Sequence, residues 1–266
     1  PLAKEWRALR DTDAEEAAFA RAAARLGLDP YAMTTAAQEE LVRVSSTLER
    51  HVMDEFLDSA DPGHLQLAVN WLQQARNRAA NLTDVRAASV VGEWRTILRY
   101  QNLADDEKPW IRGYRAAREV RRILGLEPTD RLGMDDLVTK VTLGGQSAGL
   151  EGFTRLSSAD KPILVLPSGR RSAPSVRFAQ ARSLGLLLAS GEDEHLLDPA
   201  STDLSKESRA FAAELIAPIS GIQQYLSRSP AVTDAAFEAV AARFRASTLL
   251  VRRQYENQMA KYTWEV

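Results

Sequence analysis

The chain has no cysteine and only three histidines in its 266 residues. The first absence excludes disulfides and thiolate metal sites, and it fits a reducing cytoplasm, the expected compartment. The second leaves His51, His64 and His195 as the only imidazoles. Long apolar runs are also missing. None approaches the roughly 18 residues of a membrane span, so no membrane partner is expected, and no signal peptide is visible. An excess of basic charge is absent too. The formal net charge is −2, which argues against a broadly basic nucleic-acid surface and leaves a local patch open. There is no internal repeat and no low-complexity segment. The chain begins at Pro1 rather than at methionine, so residues upstream are expected.

What is present reads as an ordinary globular protein, 45% hydrophobic and 26% charged, long enough for two domains or one large one. Residues 1–102 read as a helical domain of unassigned role. Ala14 to Leu26 is alanine-rich, and Gly27 closes it. From Thr34 to Asp58, Leu41, Val44, Leu48, Val52 and Phe56 recur at helical steps and predict one helix. Asp61-Pro62 opens the next, with Leu65, Ala68, Trp71, Leu72 and Ala75 inward. Thr83 is expected to cap another, carrying Val91, Trp94 and Leu98. The tryptophans at this spacing are core anchors rather than a ligand box. Leu103 to Pro109 is polar and ends in proline, the expected domain boundary. Trp110 to Leu124 predicts a helix with Trp110, Tyr114, Ala117, Val120 and Leu124 inward and its arginines on a solvated face. Met134 to Lys140 predicts a short helix.

The texture then changes. Val141 to Gln146, Gly152 to Leu156 and Ile163 to Pro167 are short, partly β-branched and bounded by Gly, Ser and Pro; they predict three strands. Pro174 opens a helix whose core, Val176 to Leu188, reads V-R-F-A-Q-A-R-S-L-G-L-L-L. After a polar loop, Ser190 to Ser205, comes K-E-S-R-A-F-A-A-E-L-I-A-P at 206–218. Val232 to Asn257 predicts two helices with a break near Arg245-Ala246, and 258–266 a tail.

The first of these stretches resembles R-F-x-x-A-H-E-L-G-H-L-L, the zinc helix of the ImmA/IrrE-type metallopeptidases. Arg177, Phe178, Ala181, Leu184, Gly185, Leu187 and Leu188 fall where that pattern puts them. The second is similar to the family's E-A-N-x-F-A-A-E-L-L-M-P signature through Glu207, Phe211, Ala212, Ala213, Glu214, Leu215 and Pro218, with Arg209 in the asparagine position. Strand, turn and helix precede in the order the motif requires. The resemblance covers residues 109–257 and implies a mainly helical α+β fold: an N-terminal helical domain, then a zincin-like domain with a small sheet of about three strands. It also implies a zinc peptidase that cleaves a transcriptional repressor in a bacterial stress, phage or mobile-element response.

The reacting residues are missing. A zincin needs two histidines four apart, a neighbouring glutamate as general base and a third ligand from another helix. Here Arg182, Ser183 and Leu186 occupy the first three positions, and only Glu207 remains, in the third-ligand position. A guanidinium stays protonated and offers no free lone pair; a leucine offers hydrocarbon. The expectation is therefore a degenerate, non-catalytic relative without metal or other cofactor, working as a regulatory module on a protein partner such as a repressor or antitoxin-like regulator. The strand residues Ile163, Leu164, Val165 and Leu166 are the expected edge for an extended peptide. Arg182 is expected to replace the zinc and pair with Glu207, with Leu186 filling the space of the second imidazole. The plainer alternative leaves Glu207 on the surface.

Two further readings stay open. An improvised metal site from His195, Glu207 and an acidic neighbour would make a peptidase with relocated ligands, although the acidic stretch around His195 is more simply a solvated loop. The last two helices have helix-turn-helix spacing: Ala241 and Val251 as internal contacts, Ser247, Thr248, Arg252 and Arg253 toward DNA, and Arg245 where such turns usually have glycine. Ser183 lacks a nearby base in sequence and reads as a polar helix-face residue, not a nucleophile.

Overall fold

In the computed structural model the described residues are 16–82, 90–100, 107–229 and 231–259. Helix α1 (16–25) ends at Gly27, whose φ of 71° closes it as expected. The single helix expected over Thr34 to Asp58 is two, α2 (Thr35–Ser45) and α3 (Arg50–Ser59). Between them Ser45, Ser46 and Thr47 turn their hydroxyls back onto the carbonyls of Leu41, Arg43 and Val44, which competes with helix continuation. Asp61 caps a short 3-10 turn by accepting from Gly63 N at 2.9 Å, and α4 (Leu65–Ala80) follows. The expected cap Thr83 lies outside the described residues. Next come α5 (Val91–Tyr100) and α6 (Pro109–Ile123).

Met134 to Lys140 is not the expected helix. Met134–Asp136 makes one 3-10 turn, and strand β1 (Thr139–Leu143) starts before the range read for it. Val138, Thr139, Val141 and Thr142 explain this, since β-branched side chains suit an extended backbone. Strands β2 (Gly152–Leu156) and β3 (Pro162–Pro167) match their expected ranges closely. Helix α7 (Ala173–Ser190) carries the stretch that resembles the zinc helix. The expected polar loop after it contains a fourth strand, β4 (Glu194–Leu197). Helices α8 (Asp203–Ile216), α9 (Ile219–Leu226), α10 (Asp234–Phe244) and α11 (Thr248–Met259) complete a mainly helical α+β fold. The break between α10 and α11 falls where the sequence placed it.

The sheet order is β1-β3-β2-β4. β3 pairs in parallel with β1 (Val141 opposite Val165) and antiparallel with β2 (Thr154 opposite Leu164), while β2 pairs antiparallel with β4 (Thr154 opposite His195). Both sheet faces are covered. Leu156, Leu164, Leu166 and Leu197 join a core with α5 to α11. Phe153, Ile163, Val165 and Leu196 join a second core with α1 to α4. The N-terminal helices thus complete the sheet that the later segment builds, and α5 packs with α6 and α7 although it precedes the boundary read at Leu103 to Pro109. Trp71 and Trp94 are buried anchors, one in each core, as expected.

Two glycines set how closely the helices meet. A Cβ on Gly113 would lie 2.2 Å from the Glu207 carbonyl oxygen, so α6 rests backbone-to-backbone on α8. A Cβ on Gly185 would lie 2.8 Å from the Phe211 ring, so α7 also needs hydrogen there to sit on α8. The arginines of α6 divide: Arg115, Arg118 and Arg122 are exposed as expected, whereas Arg112 is half-buried and Arg121 buried. Arg112 and Arg118 reach Glu207 and Glu214 of α8, and Arg121 is buried with Nη1 on the Leu215 carbonyl at 2.9 Å. Glu207 and Glu214 are two turns apart, so they present one acidic stripe toward α6.

Candidate functional site

Helix α7 starts at Ser172, whose hydroxyl accepts from Ser175 N, with proline in its first turn, and ends at left-handed Gly191. This fixes the three substituted positions against the sheet and α8. Arg182 is 4% exposed. Its Nη2 donates to the Asp198 carbonyl at 2.5 Å, to Ser205 Oγ at 2.9 Å and to Asp198 Oδ1 at 3.3 Å. Its Nη1 faces Glu151 Oε2 at 3.5 Å. Burial pushes the Arg182 guanidinium below its usual pKa and the nearby Arg209 adds to this, while Asp198 and Glu151 oppose it. Burial raises the Asp198 carboxyl, with Arg182 and Ser205 pulling it back. A guanidinium under a carboxylate, a carbonyl and a hydroxyl therefore occupies the place where the family resemblance would put an ion.

The expected pair of Arg182 with Glu207 does not form. Glu207 is buried, so it is not a surface remnant either, and its Oε2 accepts from Arg112 Nε at 2.9 Å and Nη2 at 2.7 Å. Burial raises its carboxyl above the usual range, and Arg112 counters. The reason is helix geometry. Positions two apart on a helix point roughly 200° apart, so Ser205 faces Arg182 and Glu207 turns to α6. Leu186 is buried in the apolar core, as expected of a residue filling space. Ser183, read as a polar helix-face residue, faces the sheet. It is fully buried, and its hydroxyl donates to Thr154 Oγ1 at 2.8 Å, because Thr154 spends its own proton on the Ile163 carbonyl at 3.1 Å.

The improvised metal site is not assembled. His195 lies in β4, buried rather than solvated, with Nδ1 2.6 Å from Glu55 Oε1 and Nε2 2.6 Å from Ser190 Oγ. Glu207 is committed to Arg112. Among the described residues no group of three His, Cys, Asp or Glu side chains is placed to hold an ion. His51 packs its ring 6.1 Å from that of His195, and His64 Nδ1 lies 2.8 Å from Asp61 at an exposed helix start.

The strand Ile163, Leu164, Val165 and Leu166 is not an edge. β3 is flanked on both sides, because its unbroken apolar run suits a strand buried on both faces. The outer strands are β1 and β4. The outer side of β4 is met by Glu55, whose Oε2 accepts from Leu196 N at 2.7 Å, whereas β1 alternates between half-buried and exposed residues.

The last two helices pack through Ala241 and Val251, both buried as expected, and Arg245 holds the left-handed turn at φ 50°. The two candidate DNA-contacting arginines diverge. Arg252 pairs with Asp234 at 2.5 Å and lies over the Phe237 ring, whereas Arg253 lines a cavity between α6, α8 and α11. Ser247 caps α11 by accepting from Leu250 N at 3.1 Å.

Sequence reasoning missed Glu151, Asp198 and Ser205 around Arg182, and Arg112 beside Glu207. Asp198-Pro199 and Ser205 stood in a stretch read only as loop, and no local pattern connects them to a helix 16 or more residues away. No protein-family model matches the chain, and no curated protein matches it in sequence. No described helix is long and apolar enough to cross a membrane.

Proposed function

We propose that this protein is a non-catalytic relative of the ImmA/IrrE-type peptidases, acting by contact with a protein partner such as a repressor or an antitoxin-like regulator. The observation that carries the reading is the burial of Arg182 among Asp198, Ser205 and Glu151 on the helix that resembles the zinc helix. A cation held there excludes a second cation by repulsion, and the buried Asp198 and Ser205 beside it are spent on the guanidinium. A partner segment would add to the sheet at its outer strand β1, which alternates between half-buried and exposed residues.

Two measurements test this. Metal analysis of the purified protein is expected to find no stoichiometric zinc. Hydrogen exchange at residues 139–143 is expected to slow when an extended segment of the partner binds. Stoichiometric zinc lost on Glu207→Gln would return the protein to the enzymes. Salt-dependent duplex binding that drops with Arg252→Ala and Arg253→Ala would instead make it a DNA-binding regulator.

A further inference from the structure

A cavity of about 480 Å³ opens between α6, α8 and α11, with Phe178 of α7 in its wall. That volume lies in the roughly 300–1,000 Å³ range of small-molecule sites. Its apolar wall is aromatic, made by Trp110, Tyr114 and Phe178, and its rim is cationic, made by Lys206, Arg209 and Arg253. No carboxylate is among the described residues lining it. Helical spacing builds the chamber: Lys206, Arg209, Ala210 and Ala213 share one stripe of α8, and the two alanines leave room beneath the two cations.

The rim cations are loosely held. Lys206 Nζ lies 3.2 Å from Asp203 on its own helix, and Arg253 Nη1 lies 3.5 Å from Glu256 on its own. Both pairs are exposed, so they add little and yield readily to a competing anion. Arg209 sends Nη2 to the Asp198 carbonyl at 3.2 Å, the same oxygen that Arg182 takes at 2.5 Å. Two guanidiniums thus crowd one carbonyl, and the burial of Arg182 keeps solvent from screening their repulsion. An anion on the cavity side of Arg209 would relieve it.

We propose that this cavity binds a small flat anion, with its ring against Trp110, Tyr114 and Phe178 and its charged group among Lys206, Arg209 and Arg253. A purine mononucleotide has this chemistry. Its base offers a face for stacking, and its phosphate suits the planar donors of arginine. An aromatic carboxylate shares the same chemistry with a different anion. The inference does not rest on the zinc-helix reading, since none of the six residues is Arg182, Ser183, Leu186 or Glu207.

The test is a titration of the whole chain followed by tryptophan fluorescence and by calorimetry. The ligands are AMP, GMP, adenosine, inorganic phosphate and indole-3-acetate. AMP or GMP is expected to bind with Kd below about 1 mM and to quench Trp110, with adenosine and phosphate each at least about tenfold weaker. Trp110→Phe should remove the quench while calorimetry still sees binding. Arg253→Glu and Lys206→Glu, on exposed positions, should each weaken binding about tenfold with the melting temperature unchanged. Tighter binding of indole-3-acetate would assign the anion as a carboxylate at the same site. Absence of saturable binding to any aromatic anion up to about 1 mM overturns the proposal, as does binding that ignores both charge reversals, or phosphate binding as tightly as the nucleotides.

Discussion

The two faces of the sheet are held by different physics. Toward α1 to α4 the strands present Phe153, Ile163, Val165 and Leu196, an apolar surface held mainly by shape and volume, with polar contacts confined to β4, where Glu55 and Arg76 meet it. Toward α7 they present leucines interrupted by Thr154 and His195, which meet Ser183 and Ser190 through hydrogen bonds, with Arg182 and Asp198 close by. The first face tolerates any good apolar neighbour. The second is matched largely group by group, because each polar atom removed from water must find a partner or forfeit its hydration, as the buried Arg182 Nε does. A helix that carries Arg182, Ser183 and Leu186 where the resemblance would put zinc-site residues can therefore keep its place when those side chains are hydrogen-bonded or apolar. Arg182, Ser183 and Leu186 illustrate both solutions.

Substitutions on the two faces sharpen this contrast. Phe153→Ala should cost about 4 kcal/mol in chemical denaturation by leaving a cavity on the apolar face. Arg182→Met should cost roughly 3 kcal/mol by stranding Asp198 and Ser205. The double change Arg182→Met with Asp198→Asn should recover part of that loss, whereas no second polar change should rescue Phe153→Ala. Equal losses in the single and double variants would mean that the Arg182 site is only packing. Gly185→Ala should cost about 2 kcal/mol, since the added methyl meets the Phe211 ring and overpacks the α7–α8 contact.

The smallest expected effect is in pH. Asp198 and Glu207 both have carboxyl groups raised by burial, so in the window above the ordinary carboxylate range the folded state binds more protons than the unfolded one. Their contribution to stability is present at the acid end of that window and is lost as pH rises through the raised values. Denaturation midpoints measured upward from roughly pH 4 should carry this falling component, and Asp198→Asn and Glu207→Gln should each remove a share of it. A slope unchanged in both variants would place its source elsewhere.

Much of the fold was legible because its signals are local. The steps of Leu41, Val44, Val52 and Phe56 marked a buried helical stripe even though the hydroxyls at Ser45 to Thr47 split it. The run Ile163 to Leu166 marked a strand. Its central position escaped, because strand order is not a local signal and β1 pairs with β3 although β2 lies between them in sequence; β4 escaped separately, since Glu194 and His195 hid it inside an acidic stretch. The candidate site was half legible. The substituted positions could be named from spacing, but the guanidinium and the carboxylate expected to meet went to Asp198 and Arg112 instead.

By itself the sequence determined most of the coiled and extended segments, the apolar stripe of α2 to α4, and that no imidazole pair stands on α7. Those properties depend on side chains a few residues apart, whose geometry the backbone repeats. Only the tertiary structure decided which charge answers which, that β3 lies inside the sheet, and that α6, α8 and α11 enclose a cationic, aromatic chamber. Those outcomes depend on how helices far apart in the chain rotate against one another, and a rotation of two residue steps on α8, roughly 200°, is what would exchange Glu207 for Ser205 in front of Arg182.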